Sequence, residues 1–344
     1  MAQVRTASAS LDWSFKGMRT LVLENHELRA SVLLDKGSDI FQLIFKPRDL
    51  DFIWHSPLGY RNPSNLIQSI TDLDDAFTDY YGGGWNDVFP NYGFRSENRG
   101  VRVGLHGESA LLPWSFVAIE NEDKGREAVT ARLRFDCTRY PLRADKSLTL
   151  DGRRAVFEIS EDIMNAGEQE VELSWAQHIA FGEPFVGPDL VIDIPAIKAI
   201  THNYDMPQAR VPREREFDWP FAPGLKGDKV DLSRIPPRSD RVQDDFPIIE
   251  LRKTQYRLYN KSLDAGLEVS WNRETFPHLW YWLNWGVLDY PWFGRGRTLA
   301  LEPTTASHGG GLKEEIKCGT APVLKPGSKI HGEIRVRAFT GAEP

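Results

Sequence analysis

Residues 127–182 read EAVTARLRFDCTRYPLRADKSLTLDGRRAVFEISEDIMNAGEQEVELSWAQHIAFG. Apolar and polar residues alternate here in strand-length pieces, and Asp151-Gly152 and Asn165-Ala166-Gly167 supply the reversals between them. A period of two puts one face of each piece into a core and leaves the other to solvent, and helical spacing is not sustained anywhere in this half. Turn signals about every ten residues are what stacked antiparallel sheets require.

The same pattern extends in both directions. Upstream, FVAIEN precedes it, and from Arg19 to Trp54 the pieces TLVLEN, ELRASVLLDKG, SDIFQLIFKP and DFIWHS form a β meander punctuated by Gly37 and Pro47. Downstream, strands return beyond Ile248 as IIELRKTQYRLYN, LDAGLEVSWN, HLWYWLNWG, RTLALEP and IHGEIRVRAF. Two regions break the pattern. Between Ser56 and Asp79 the chain is rich in Pro, Asn and Asp, and Asp72, Asp74 and Asp75 lack the regularly spaced oxygen ligands of a calcium loop, so a solvated loop is expected. Between Gly182 and Asp245 nine prolines exclude regular central strands and predict long connections with brief edge strands, placed to lid a site. No linker and no repeat divides the chain, so residues 1–344 are expected to form one all-β domain, a large antiparallel super-sandwich with few short helices.

A net charge of −7 with both signs interspersed argues against nucleic acid or a membrane as partner and for a small-molecule ligand. The start, MAQVRTASASLDWSF, lacks a signal-peptide apolar run, which makes a cytoplasmic location the expectation. Cys137 and Cys318 belong to no metal-spacing motif and read as buried thiols. Eleven tryptophans are many, and six of them fall between Trp219 and Trp292. Such clustering suits a surface that meets flat ligands, although inter-sheet packing would also use it.

One further stretch, GGGWNDVFPNYGFRSENRGVRVGLHGESALLPW from Gly82 to Trp114, has the composition of a polar pocket wall. Its glycines permit close backbone approach, an indole packs on the C–H face of a sugar ring, and an imidazole exchanges protons with hydroxyls. The order GG-x-x-x-x-FP-x-x-G (Gly83, Gly84, Phe89, Pro90), then His106-Gly107 and Trp114, is similar to the galactose-mutarotase-like superfamily of aldose 1-epimerases. The first part resembles its hexose-phosphate epimerase branch most. Ser174-Trp175-Ala176-Gln177-His178, Leu299-Ala300-Leu301-Glu302-Pro303 and the Asp35-Lys36-Gly37 turn fit the same pattern.

That resemblance implies a twisted super-sandwich with its pocket on a concave face, and a reaction needing no cofactor or metal. A base takes the O1 proton, an acid protonates the ring oxygen as C1–O5 breaks, and the pair works in reverse after rotation about C1–C2. Glu302 at the end of its strand is the implied base and His178 the implied acid, with His106 holding the substrate. Read without the resemblance, a strand glutamate and a strand histidine are also ordinary solvated and packing residues. Trp114, Trp85, Asn86, Asp87 and Arg95 are the substrate-binding candidates, Asp87 as the aspartate that grips a hydroxyl and Arg95, Arg99 or Arg102 as a clamp. His308 follows Glu302 closely enough to approach the same rim. The expected function is thus interconversion of sugar anomers by a monomer or homodimer. A hexose-6-phosphate 1-epimerase, a non-catalytic carbohydrate-binding protein and another enzyme on the same fold are the alternatives.

Overall fold

The computed structural model describes residues 7–65, 75–123 and 127–341. Two large antiparallel sheets dominate it. The first has twelve strands and contains, as neighbours, Asp39–Phe45, Trp85–Val88, Ala176–Gly182, Arg297–Thr304, His278–Trp285 and Val242–Leu251. In the second, of eight strands, Ala265–Trp271, Lys329–Phe339, Val156–Asn165, Leu142–Leu150, Glu127–Asp136 and Ser115–Asp123 follow one another. The predicted super-sandwich is what the chain forms. Among the described residues its helices are the short Asp75–Tyr80 and Leu312–Cys318, with two single 3-10 turns. Among the described residues no helix is long and apolar enough to cross a membrane.

Alternation decides what each sheet buries. In Leu142–Leu150 the residues Leu142, Ala144, Leu148 and Leu150 are buried while Asp145 is exposed, and Phe157, Ile159 and Ile163 do the same on the next strand. These side chains meet those of the twelve-stranded sheet in one continuous core. Parity also drives charges inward. Lys146 and Glu161 occupy core-facing positions, 3.4 Å apart, and Lys146 pairs with Asp87 of the opposite sheet as well. The Lys146 ammonium lies 4.1 Å from the Trp114 ring centroid and donates to Ser38 Oγ at 2.9 Å. Burial and the neighbouring Asp87 carboxylate push Glu161 well above the usual carboxylate range.

The sequence reading needs three corrections. A strand, Ser8–Phe15, precedes the meander and forms one edge of the large sheet. The strand expected from Ile248 starts at Val242 and contains Pro247. That proline is tolerated because Ala196–Ile200 pairs only from Ile248 onward, so no ladder bond is lost on that side. Cys318 is exposed and Cys137 half-buried; both are free thiols. Asp72 and Asp74 lie outside the described residues. The proline-rich region is as expected, with Leu190–Asp193, Ala196–Ile200 and Glu216–Asp218 brief and peripheral in their sheets.

Removing one member of a buried charge cluster leaves the others without compensation. Lys146→Met is expected to destabilise the fold by about 3–5 kcal/mol at pH 7. The loss should shrink toward pH 4, where Asp87 and Glu161 can take up protons, as measured by urea unfolding at both pH values.

Candidate active site

Four adjacent strands, Ala176–Gly182, Arg297–Thr304, His278–Trp285 and Val242–Leu251, make the floor of a cavity of about 550 Å³. Their register pairs Asn86 with His178 and Trp280 with Glu302. Ala176 pairs with Thr304 and Ala180 with Ala300, so His178 and Glu302 fall opposite each other between these two pairs. Directly opposed residues share a face. His178 Nε2 stands 3.5 Å from Glu302 Oε1. Ala180 and Ala300 are buried beneath the aromatic cluster beside this pair.

Aromatic residues raise the walls. Phe77 and Tyr81 come from the short helix and its end, Trp280 and Trp282 from one face of a floor strand, and Trp292 from the loop that follows. Trp285 has the opposite parity, is buried, and donates its N–H to Pro237 O at 3.1 Å. Tyr92 is held by its own N–H on Ser174 Oγ at 2.8 Å, and its hydroxyl donates to Glu302 Oε2 at 2.8 Å. Next to it Gly93 has φ 88°, and a Cβ there would lie 2.1 Å from Gly309 O, so this crossing of two loops requires glycine. His106 adopts φ 58°, unusual for a side chain of its size. It is fixed by donating its N–H to Gly93 O at 3.1 Å and accepting the Gly93 N–H on Nδ1 at 3.3 Å. An accepting Nδ1 leaves Nε2 as the protonated donor of a neutral imidazole. Asp245 receives the Trp280 indole N–H and the Tyr204 hydroxyl.

The electrostatics follow from enclosure. Burial pushes Glu302 well above the usual carboxylate range, against the Tyr92 hydrogen bond, and the Asp245 charge adds to the rise. Burial lowers His178 to about 4 and, with His178 beside it, holds His106 well below an ordinary imidazole. Asp245 is raised to about 6 by burial, opposed by the Tyr204 and Trp280 donors. Among the described residues, no lysine or arginine lines the cavity, whereas Asp245, Asp289 and Glu302 do. Among the same residues no cluster of three or more His, Cys, Asp or Glu could hold a metal ion.

Of the sequence candidates, Glu302, His178 and His106 meet in this cavity. The others do not line it. Asp87 points into the inter-sheet layer, where its Oδ1 accepts Trp175 Nε1–H at 2.8 Å and Gln177 Nε2–H at 3.0 Å. Trp85 packs there against Phe157, and Trp114 stacks on Phe135 with centroids 5.2 Å apart. Asn86 shares the face of His178 but is completely buried outside the cavity lining. Arg95 and Arg102 line a separate crevice with Lys313 and Lys317, and Arg99 pairs with Glu172 at 3.0 Å. His308 bonds to Ser307 outside the lining. Residues the sequence reading passed over include Tyr92, inside the quoted FPNYG, and Asp245, hidden in the proline-rich segment.

The fold is a super-sandwich of the galactose-mutarotase-like kind. One similar solved structure is described as "a putative aldose 1-epimerase from Klebsiella pneumoniae subsp. pneumoniae MGH 78578", with TM-score 0.73, 15% identity, and coverage of 98% of this chain and 84% of that one. A galactose mutarotase-like protein from Clostridium acetobutylicum gives 0.68 and 14%, over 98% and 99% of the two chains. A galactose mutarotase-like protein from Lactobacillus casei ATCC 334 gives 0.58 and 13%, over 93% and 100%. The chain belongs to the DUF4432 family, a domain of unknown function, whose model matches residues 15–337. No curated protein sequence matches it.

Because burial raises the folded-state pKa of Glu302, the folded protein loses stability as pH rises from the unfolded value toward the folded one. Glu302→Gln removes that loss. The variant is expected to melt with the wild type at pH 4 and at a higher temperature at pH 8, followed by circular dichroism. Equal melting temperatures at both would show that the carboxylate is not desolvated.

Proposed function

We propose that this protein is an aldose 1-epimerase acting on a neutral free sugar. The observation that carries the reading is the opposition of Glu302 and His178, 3.5 Å apart, on the floor of an aromatic-walled cavity. O1 and the ring oxygen are both bonded to C1, so two adjacent proton-exchanging groups reach both. Glu302 takes the O1 proton while His178 protonates the ring oxygen and the C1–O5 bond breaks, leaving an aldehyde. After rotation about C1–C2, His178 recovers its proton from the O5 hydroxyl as that oxygen re-attacks C1, and Glu302 protonates O1. One proton stays on the pair throughout. Its ring-open form, a protonated Glu302 beside a neutral His178, is the form that burial favours.

Aromatic walls suit the C–H faces of a pyranose, and Asp245 and the Nε2–H of His106 are placed to accept from and donate to hydroxyls. The absence of lysine and arginine from the described lining weighs against a phosphorylated sugar, which calls for converging cations.

Polarimetry on freshly dissolved α-glucose and α-galactose, with their 6-phosphates alongside, tests this. Accelerated equilibration of a neutral sugar is expected, and Glu302→Gln and His178→Ala should each slow it roughly 10²-fold or more. Full activity in both variants would refute these roles. Saturable binding without acceleration across a broad sugar panel would make the protein a binding module instead.

The pH profile provides a separate check. Activity requires one proton on the pair, so the rate should fall on the acid side as His178 charges near its depressed value of about 4. It should fall again on the alkaline side once Glu302 gives up its proton. An inflection at the free-imidazole value of about 6.5 would contradict the buried pair.

A further inference from the structure

We propose that the sugar taken by this site carries a second ring: a neutral reducing disaccharide, its reducing ring on the His178–Glu302 floor and its second ring against an aromatic mouth formed by Phe94 and Tyr290. The inference rests on the reading of the floor as a sugar site.

Size gives the first argument. A hexose has twelve non-hydrogen atoms, and if each claimed even the ~30 Å³ of a liquid water, the sugar would fill about 360 Å³. The cavity measures about 550 Å³. The surplus has to lie toward the opening, because the floor is closed by the sheet.

The second argument is what stands at that opening. Phe94 and Tyr290 line the same cavity, yet they are 47% and 53% exposed. Large aromatic rings left in water at the mouth of a cavity mark a surface that a ligand covers. Neither is a loose end. The Phe94 N–H donates to Gly309 O at 3.3 Å, and its ring meets Tyr204 edge-on with centroids 5.1 Å apart. Tyr290 donates its hydroxyl to Asp79 at 3.1 Å, and the loop carrying it is tied by the Leu288 N–H on Gln208 Oε1 at 3.1 Å. The mouth is therefore preformed, which lowers the ordering cost of binding.

Chemistry narrows the occupant. Ring opening requires a free O1 hydroxyl, so the second ring is joined through another oxygen of the first. Asp289 is the charged group of the lining that stands exposed beside Tyr290, and it accepts hydroxyls but repels a uronate or a phosphate.

Trp280, Trp282 and Trp292 in the walls make intrinsic fluorescence the natural readout. Titrations with maltose, cellobiose and lactose should show at least one that binds about tenfold or more tighter than glucose, galactose and mannose. In Phe94→Ala and in Tyr290→Ala the ratio of disaccharide to monosaccharide affinity should fall toward one. Equal affinities in the wild type, a ratio that survives both substitutions, or no binding by any disaccharide would overturn the proposal. Anomerisation of monosaccharides without an affinity gap would sink this inference and leave the epimerase reading standing. A gap without anomerisation would do the reverse.

Discussion

A strand offers each side chain two directions, and this site depends on one choice of direction at two places 124 residues apart in sequence, His178 and Glu302. A slip of one residue in either strand would send its member of the pair into the inter-sheet core. Several contacts fix the register. The Trp175 N–H donates to Thr305 Oγ1 and the Thr305 N–H donates to Trp175 O, both at 2.9 Å, while Thr298 Oγ1 donates to Phe181 O at 2.9 Å farther along. On the inner face the odd-numbered Trp175 and Gln177 donate to Asp87, which is itself held by Lys146 of the other sheet. The buried ion cluster thus acts on the cavity from behind. By holding the odd positions inward it obliges the even ones to face outward, toward a ligand.

Enclosure then sets the chemistry. A carboxylate buried beside a basic residue would ionise readily, but Glu302 has a phenol, an imidazole and a second acid, Asp245, around it. With no cation in the described lining to favour the charged form, desolvation prevails and raises its proton affinity. The same desolvation strips the proton from His178. Opposite shifts in an acid and a base invert their usual order of proton affinity, so a proton shared by the pair rests on Glu302 and leaves His178 neutral. In the proposed reaction that is the proton arrangement reached on ring opening, and ring closure uses the two groups in exchanged roles.

The fold was legible because alternation is local: the strands Glu127–Asp136, Leu142–Leu150 and Val156–Asn165 announce their faces in nine or ten residues each. The meeting of Glu302 and His178 was legible through short ordered motifs. The surrounding residues were not, and the reasons are physical. Asp87 sits beside Asn86 in sequence but on the opposite face, so neighbourhood in the chain misassigned it to the pocket. Asp245 reaches the cavity through pairing with Trp282, on a strand that the sequence reading began only at Ile248. The arginines of the quoted stretch point to a different crevice or to Glu172, which no local pattern could reveal. Tyr92 reaches Glu302 across 210 positions, a contact that only the crossing of the loops at Gly93 and Gly309 creates.

What remains is why so many tryptophans serve so small a floor. Parity separates them into two groups with different work. Trp85, Trp114, Trp175 and Trp285 are fully buried, and Trp85, Trp175 and Trp285 spend their N–H groups on Gln177, Asp87 and Pro237. They fill the space between sheets and satisfy polar atoms there. Trp280, Trp282 and Trp292 stand on the cavity side, where Trp282 and Trp292 pack with Trp54 and Tyr81 into a second apolar cluster separate from the main core. An aromatic wall backed by other aromatics is stiff, having few rotamers to lose, and it shields the Glu302–His178 pair from water on that side. The indoles on the cavity side therefore maintain the low-dielectric surroundings that displace the proton affinities of Glu302 and His178.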